Sequence, residues 1–360
     1  MAKIVLVCGM VNTGNFFNPL ATALEQRGHT VHLSIGTHRP SSSDDQQGGL
    51  SYLIENADLV LSGMSNPADF AGLELFALSL AYVRNVPFGF LSDANGAWRR
   101  EYFQNFADKA SLLAVRFPHE VALAERIFPN ATIASVGHPT AEKASSAKFT
   151  REKLRKRLGL ADSELVVYLA GTKMMDMNRE AITLVTQSIK QFSRDFHIRF
   201  LFGPHPGITG EKARKDGKEV SLDEYRNWSE NIEFVPDVSG EDIVPAADAF
   251  LFTTGTAFYA AIYQGDQGAL AVLLNSPKIA AIRGTSNDLS FECETGAIVP
   301  VASADALAAV LGNTIYPYPA VLQANRRVYW PKPEREGAAV DALAILITAS
   351  IEARFTEHAK

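Results

Sequence analysis

The stretch KIVLVCGMVNTGNFFNPLATALEQRGHTVHLSI (3–35) carries the plan of the whole chain. Its first residues, KIVLVCG (3–9), form a nearly unbroken apolar run, the pattern of a parallel strand covered on both faces. MVNTGNFF (10–17) reads as a glycine-bearing loop and HTVHLSI (29–35) as the next strand. Between them NPLATALEQRG (18–28) reads as a helix, with Leu20, Ala21 and Leu24 on one stripe and Gly28 as its stop. Such a strand-loop-helix-strand unit binds its ligand where strand gives way to helix, because unpaired N–H groups and the helix dipole converge there. Gly14 lets the backbone pass close to that ligand. Gly9 and Gly14 are too far apart for the G-x-G-x-x-G dinucleotide fingerprint.

The same alternation runs to the end of the chain. Strands are predicted at 3–8, 30–35, 57–63, 86–92, 110–116 and 131–137, then at 164–172, 198–204, 231–237, 249–255, 269–274 and 296–301. Helices are predicted at 150–160, capped by Thr150, at 179–193, and at 336–352. The basic residues of TREKLRKRLGL (150–160) read as a solvated helix face, and SSSDDQQGG (41–49) as a surface loop. Strands alternating with helices in two successive halves indicate an α/β architecture with two doubly wound parallel sheets.

With 360 residues, two domains are expected. A hydrophobic content of 47% with 21% charged residues is that of a globular protein, and the net charge of −6 argues against nucleic acid as a partner. Cys8 and Cys293 have no metal-type spacing, which fits a reducing, cytoplasmic compartment. The apolar stretch after Lys3 ends without a small-residue cleavage pattern and reads as a strand, not a leader. AVDALAILITASI (339–351) is short and carries Asp341, so any membrane contact is expected to be peripheral.

Four further segments carry chemistry. Gly171-Thr172-Lys173 places amides, a hydroxyl and an ammonium after the first strand of the second half, the groups a diphosphate requires; a surface turn is the alternative. In FGPHPG (202–207) two prolines restrict the backbone around His205, so that its imidazole is aimed and can hydrogen-bond or, when charged, neutralise a phosphate; a structural turn is the alternative. Thr254, Gly255 and Thr256 follow the strand AFLF and open an apolar helix, where they form either an anion pocket or a helix cap. After VPFGFLS (86–92), Asp93 and Glu101 are candidate general bases and Trp98 a platform for a sugar, unless the segment is only a surface loop.

NPLATALEQRGHTVHL, the VGHPTAEK segment (136–143), TTGTAFYAAIYQG (253–265) and GAIVPVASADALAAVL (296–311) together resemble the GT-B superfamily of nucleotide-sugar-dependent glycosyltransferases over nearly the whole chain. The His-Pro element at 205–206 also resembles that of nucleotide-sugar 2-epimerases, bacterial sialyltransferases and Kdo transferases. The resemblance implies two Rossmann-like domains facing a central cleft. An acceptor-side domain would span 1–140, a linker 141–150, a donor domain 151–335, and a helix at 336–360 would cross back to the first domain. It further implies a donor site of Gly171, Thr172, Lys173, His205, Thr254, Gly255 and Thr256, with backbone groups at Val235 reading the base, and an acceptor side of Gly14, Asn15 and Trp98.

The chain departs from that family where a histidine often stands in the first loop: here the residue is Asn15, which hydrogen-bonds but does not accept a proton at neutral pH. Asn15, Asp93 and Glu101 are therefore the catalytic candidates, with a carboxylate as the base. The segment Gln264-Gly265-Asp266-Gln267-Gly268-Ala269 also differs from the usual G-x-P-x-V pattern. The implied reaction is inverting, metal-independent transfer of a sugar from a nucleotide diphosphate, a UDP-sugar, to an acceptor hydroxyl. No Asp-x-Asp metal motif and no cofactor requirement is read. The alternatives are a nucleotide-sugar 2-epimerase and a non-catalytic nucleotide-sugar-binding protein.

Overall fold

The computed structural model describes residues 1–36, 49–191, 197–209, 224–225, 227–235, 238–254, 258–264, 269–283, 291–314 and 320–358. The chain divides into two compact units, Met1–Glu142 with Pro333–Lys360, and Lys143–Lys332.

The first unit is built on a parallel six-stranded sheet of order β2-β1-β3-β4-β5-β6, with β1 Lys3–Cys8, β2 Thr30–Ile35, β3 Leu59–Ser62, β4 Phe88–Leu91, β5 Leu112–Val115 and β6 Thr132–Ser135. Successive residues of β1 serve opposite faces, as the two-residue period of a strand requires. Ile4, Leu6 and Cys8 pack with Phe17, Leu20, Leu24, Leu343 and Ile347, while Val5 and Val7 pack with Leu78, Phe88 and Phe90. The unbroken apolar run of β1 is thus explained by burial on both sides.

The second unit repeats the plan in a parallel sheet of order β12-β11-β10-β7-β8-β9. Its strands are β7 Leu165–Ala170, β8 Ile198–Gly203, β9 Glu233–Phe234, β10 Ala249–Phe252, β11 Leu270–Leu274 and β12 Val299–Val301. All twelve predicted strands are present, most of them trimmed at their ends. The helix predicted at 179–193 runs Met175–Ile189, and the terminal one Ala338–His358.

Two local readings are corrected. The segment 10–17 is not a loop: a helix runs Val11–Gln26 straight through Pro19. Proline removes one backbone donor and normally ends a helix, but Phe16, Phe17, Leu20 and Leu24 are all buried, and that apolar stripe keeps the segment helical on both sides of Pro19. The basic helix Arg151–Arg157 is not a wholly solvated face either. Arg155 is buried, donating to the carbonyls of Ala246, Ala161 and Glu164 at 2.9, 2.5 and 2.5 Å, with Asp248 3.5 Å away.

The segment 141–150, read as a linker, begins inside a short helix, Pro139–Ala144. From it Glu142 accepts the N–H groups of Gly337 at 2.8 Å and Ala339 at 2.5 Å, satisfying donors at the start of the terminal helix.

Candidate functional site

The C-terminal ends of the first sheet gather a set of buried ionisable groups. Asp93 follows β4 and pairs with Arg100 Nη1 at 2.8 Å. Burial pushes its carboxyl above the ordinary aspartate value, against the opposing pull of Arg100 and Arg116. Glu101 is exposed in the first turn of the helix Glu101–Gln104. Asn15 is exposed on the helix Val11–Gln26.

Gly14 lies within that helix, not in a loop: a methyl group there would come within 2.8 Å of Ile35 Cδ1, so the glycine serves close packing of helix on strand. Trp98, expected to stack on a sugar, is 2% exposed, and its Nε1–H donates to Glu120 Oε2 at 3.0 Å. Its ring belongs to the core and braces the loop that carries Asp93.

Sequence reasoning missed the carboxylates that hold these loops. Glu120 accepts from the N–H groups of Gly96 (2.8 Å), Arg116 (3.2 Å) and Phe117 (3.1 Å) as well as from Trp98. Glu74 accepts the N–H of Gly9 at 3.0 Å, and from Ser65 both the N–H at 3.0 Å and the hydroxyl at 2.9 Å. Burial raises its pKa from the ordinary 4.5 to about 7, although these donors and the helix N-terminus favour the anion. The signal was in GLELFALSLAYVR (72–84), where Glu74 shares a helical stripe with Ala77, Leu78 and Ala81.

Burial and then the charges of Glu74 and Asp93 push the Cys8 thiol up to about 12, which keeps it protonated at neutral pH. His138 of the VGHP segment is buried next to Arg116, both of which hold it well below the usual histidine range, so its ring is neutral. Its Nδ1 accepts from Thr140 N–H at 3.0 Å.

In the second unit, the loops after β7 and β8 come together. Thr172 is 4% exposed; its N–H donates to Asn178 Oδ1 at 2.7 Å, and its hydroxyl accepts from Met174 N–H at 3.0 Å. Gly171 N–H donates to Gly203 O at 2.8 Å. The amides of Gly171 and Thr172 and the Thr172 hydroxyl are thus committed within the protein and shape the loop, contrary to the expected diphosphate cradle.

Lys173 is exposed and packs beside His205: a methyl group at Gly207 would meet Lys173 Cε at 2.9 Å and His205 Nδ1 at 3.0 Å. Gly207 N–H donates to His205 Nδ1 at 2.8 Å, which assigns the ring proton to Nε2. Burial and Lys173 lower the pKa of His205, so at neutral pH it acts as an N–H donor and Lys173 supplies the charge. Of the two roles read from the sequence, hydrogen bonding or charge neutralisation, the neutral ring fits the first.

Val235 is buried and donates its N–H to Phe202 O at 3.0 Å. Thr254 is exposed just past β10, while Gly255 and Thr256 lie outside the described residues. Among the described residues, no three or more His, Cys, Asp or Glu side chains are placed to hold a metal ion, and no helix is long and apolar enough to cross a membrane.

No protein-family model matches the chain. A lipid-A-disaccharide synthase from Thiobacillus denitrificans is 29% identical over 164 residues, 43% of this chain and 43% of that protein, so the match spans less than half of the curated relative. Solved structures are similar over almost the full length. A glycosyltransferase from Rickettsia africae has a TM-score of 0.56 at 12% identity, covering 97% of this chain and 98% of its own. The UDP-GlcNAc 2-epimerase from Neisseria meningitidis, bound to UDP-GlcNAc, has a TM-score of 0.55 at 12% identity, covering 96% and 100%. The S. aureus MnaA–UDP co-structure has a TM-score of 0.55 at 13% identity, covering 94% of each chain. These likenesses are of fold, and with the two parallel sheets they define an α/β protein of the GT-B fold, shared by glycosyltransferases and UDP-GlcNAc 2-epimerases.

Proposed function

We propose that this protein is a nucleotide-sugar-dependent glycosyltransferase that takes a UDP-sugar as donor. The observation that carries the reading is the division of chemistry between its sheets. The second has a cation, Lys173, beside an N–H donor, His205, at the strand ends where α/β folds bind ligands. The first has a partly buried carboxylate, Asp93, whose proton affinity desolvation raises. Lys173, His205 Nε2–H and Thr254 would stabilise the departing diphosphate, and Asp93 would take the proton of the acceptor hydroxyl. A single displacement at the anomeric carbon would invert it, and Lys173 would offset part of the diphosphate charge. The UDP and UDP-GlcNAc co-structures of the neighbours support the donor class, and the partial likeness to a lipid-A-disaccharide synthase supports transfer.

One observation favours a second reading, 2-epimerisation of the nucleotide sugar: His205 is held by its own loop at the end of β8, and epimerases stand among the structural neighbours.

UDP affinity tests the donor site. Lys173→Ala, His205→Ala and Thr254→Ala are each expected to weaken UDP binding at least several-fold by calorimetry. Unchanged affinity in all three would refute the placement of the donor.

A further inference from the structure

Glu74 is fully buried in the first turn of the helix Gly72–Arg84, yet it reaches two other loops. Its Oε1 accepts the N–H of Gly9, which leads from β1 into the helix Val11–Gln26, and the hydroxyl of Ser65; its Oε2 accepts the N–H of Ser65, past the end of β3. Ser65 in turn accepts, through its carbonyl, the hydroxyl of Tyr102 at 2.8 Å. Tyr102 sits on the helix that follows the Asp93–Arg100 loop. One carboxylate therefore ties together the segments after β1 and β3 and, through Ser65 and Tyr102, the segment after β4.

The fit around it is close. A methyl group at Gly63 would lie 2.5 Å from Glu74 Oε1, and one at Gly9 would lie 1.8 Å from Phe70 O and 2.9 Å from Ser65 Oγ. Three donors, two of them backbone N–H groups that cannot reverse, converge on two oxygens. That set suits a carboxylate anion; an amide or a carboxylic acid would turn a donor toward one of them.

We propose that Glu74 is a positioning residue: its carboxylate clasps the acceptor-side segments carrying Gly9–Phe17 and Asp93, and its protonation changes how they are held. The role rests on the transferase reading, but the clasp itself does not. Asp93, which Arg100 pairs, raises the proton affinity of Glu74, and the Glu74 charge in turn raises that of Cys8 on β1 and of Tyr102. On the other elements packed against its helix, Asp69 is exposed and Glu55 pairs with Arg84 at 2.9 Å. None of these groups is a cation, so the charge of Glu74 is met by its hydrogen-bond donors.

The test has two arms. In the full-length protein, the amide resonances of Gly9 and Ser65 are followed by NMR from pH 5 to 8.5. They are expected to titrate together with a midpoint near 7 in the wild type. The titration should be absent in Glu74→Gln, and its midpoint should move upward in Ser65→Ala, which removes one donor to the anion. Gly9 and Ser65 amides that do not titrate, or that titrate equally in Glu74→Gln, would overturn the clasp whether or not the protein is a transferase.

In the second arm, turnover with a UDP-sugar and acceptor is measured over the same range, with folding of each variant checked by thermal denaturation. Glu74→Gln is expected to raise the acceptor KM at least tenfold and to flatten its pH dependence near 7, with UDP affinity unchanged. An acceptor KM with wild-type pH dependence in Glu74→Gln would overturn the positioning role. Absence of turnover in the wild type would count against the transferase reading alone.

Discussion

A carboxylate that takes a proton from a hydroxyl must be ionised at working pH yet bind a proton well, and Asp93 is held between those demands by burial on one side and Arg100 on the other. Replacing it with Asn is expected to lower kcat by about 10²–10⁴-fold while leaving UDP affinity unchanged, as checked by steady-state kinetics and calorimetry. Because the ionised form is the active one and burial raises its pKa, the acid limb of kcat/KM should lie above the ordinary aspartate value of 3.8. Glu74 provides a separate test through stability. Its carboxyl titrates at 4.5 when unfolded and about 7 when folded, so across that window the native state keeps a proton the unfolded chain has lost. Stability should therefore fall as pH rises through the window, by about 3 kcal/mol from this group. Denaturant titrations of Glu74→Gln should lack that decline.

At the scale of elements, the strands were legible and the segments between them were not. Runs such as KIVLVC and AFLF are apolar because both faces are covered, a pattern that needs no knowledge of partners. The segment 10–17 misled because Gly14 and Pro19 are loop residues by local chemistry, while the buried stripe of Phe16, Phe17, Leu20 and Leu24 is satisfied only by distant elements. Thr172 misled in the same way. Its hydroxyl and amide suit a phosphate until Asn178, six residues on, takes the amide. Candidate bases were legible by type; the burial of Trp98 and the reach of Glu74 depend on neighbours far along the chain. The terminal helix is expected to be integral to the first unit, since Leu343 and Ile347 share a core with β1 and the helix Val11–Gln26. Ile347→Ala should cost about 2–5 kcal/mol by urea denaturation.

For the whole molecule, two sheets of the same plan carry unlike chemistry: buried carboxylates at the strand ends of the first, and a lysine with a neutral histidine at those of the second. The order of the motifs along the sequence was enough to recognise the GT-B plan, while sugar and acceptor depend on side-chain detail that a fold shared at 12–13% identity does not carry. The central claim is transfer from a UDP-sugar, and product analysis with a panel of UDP-sugars, with and without hydroxylated acceptors, tests it most directly. The expected result is UDP release and an inverted glycoside only when an acceptor is present, with the donor otherwise recovered unchanged. Conversion of the donor to its 2-epimer without acceptor, or UDP-sugar binding without any product, would contradict it.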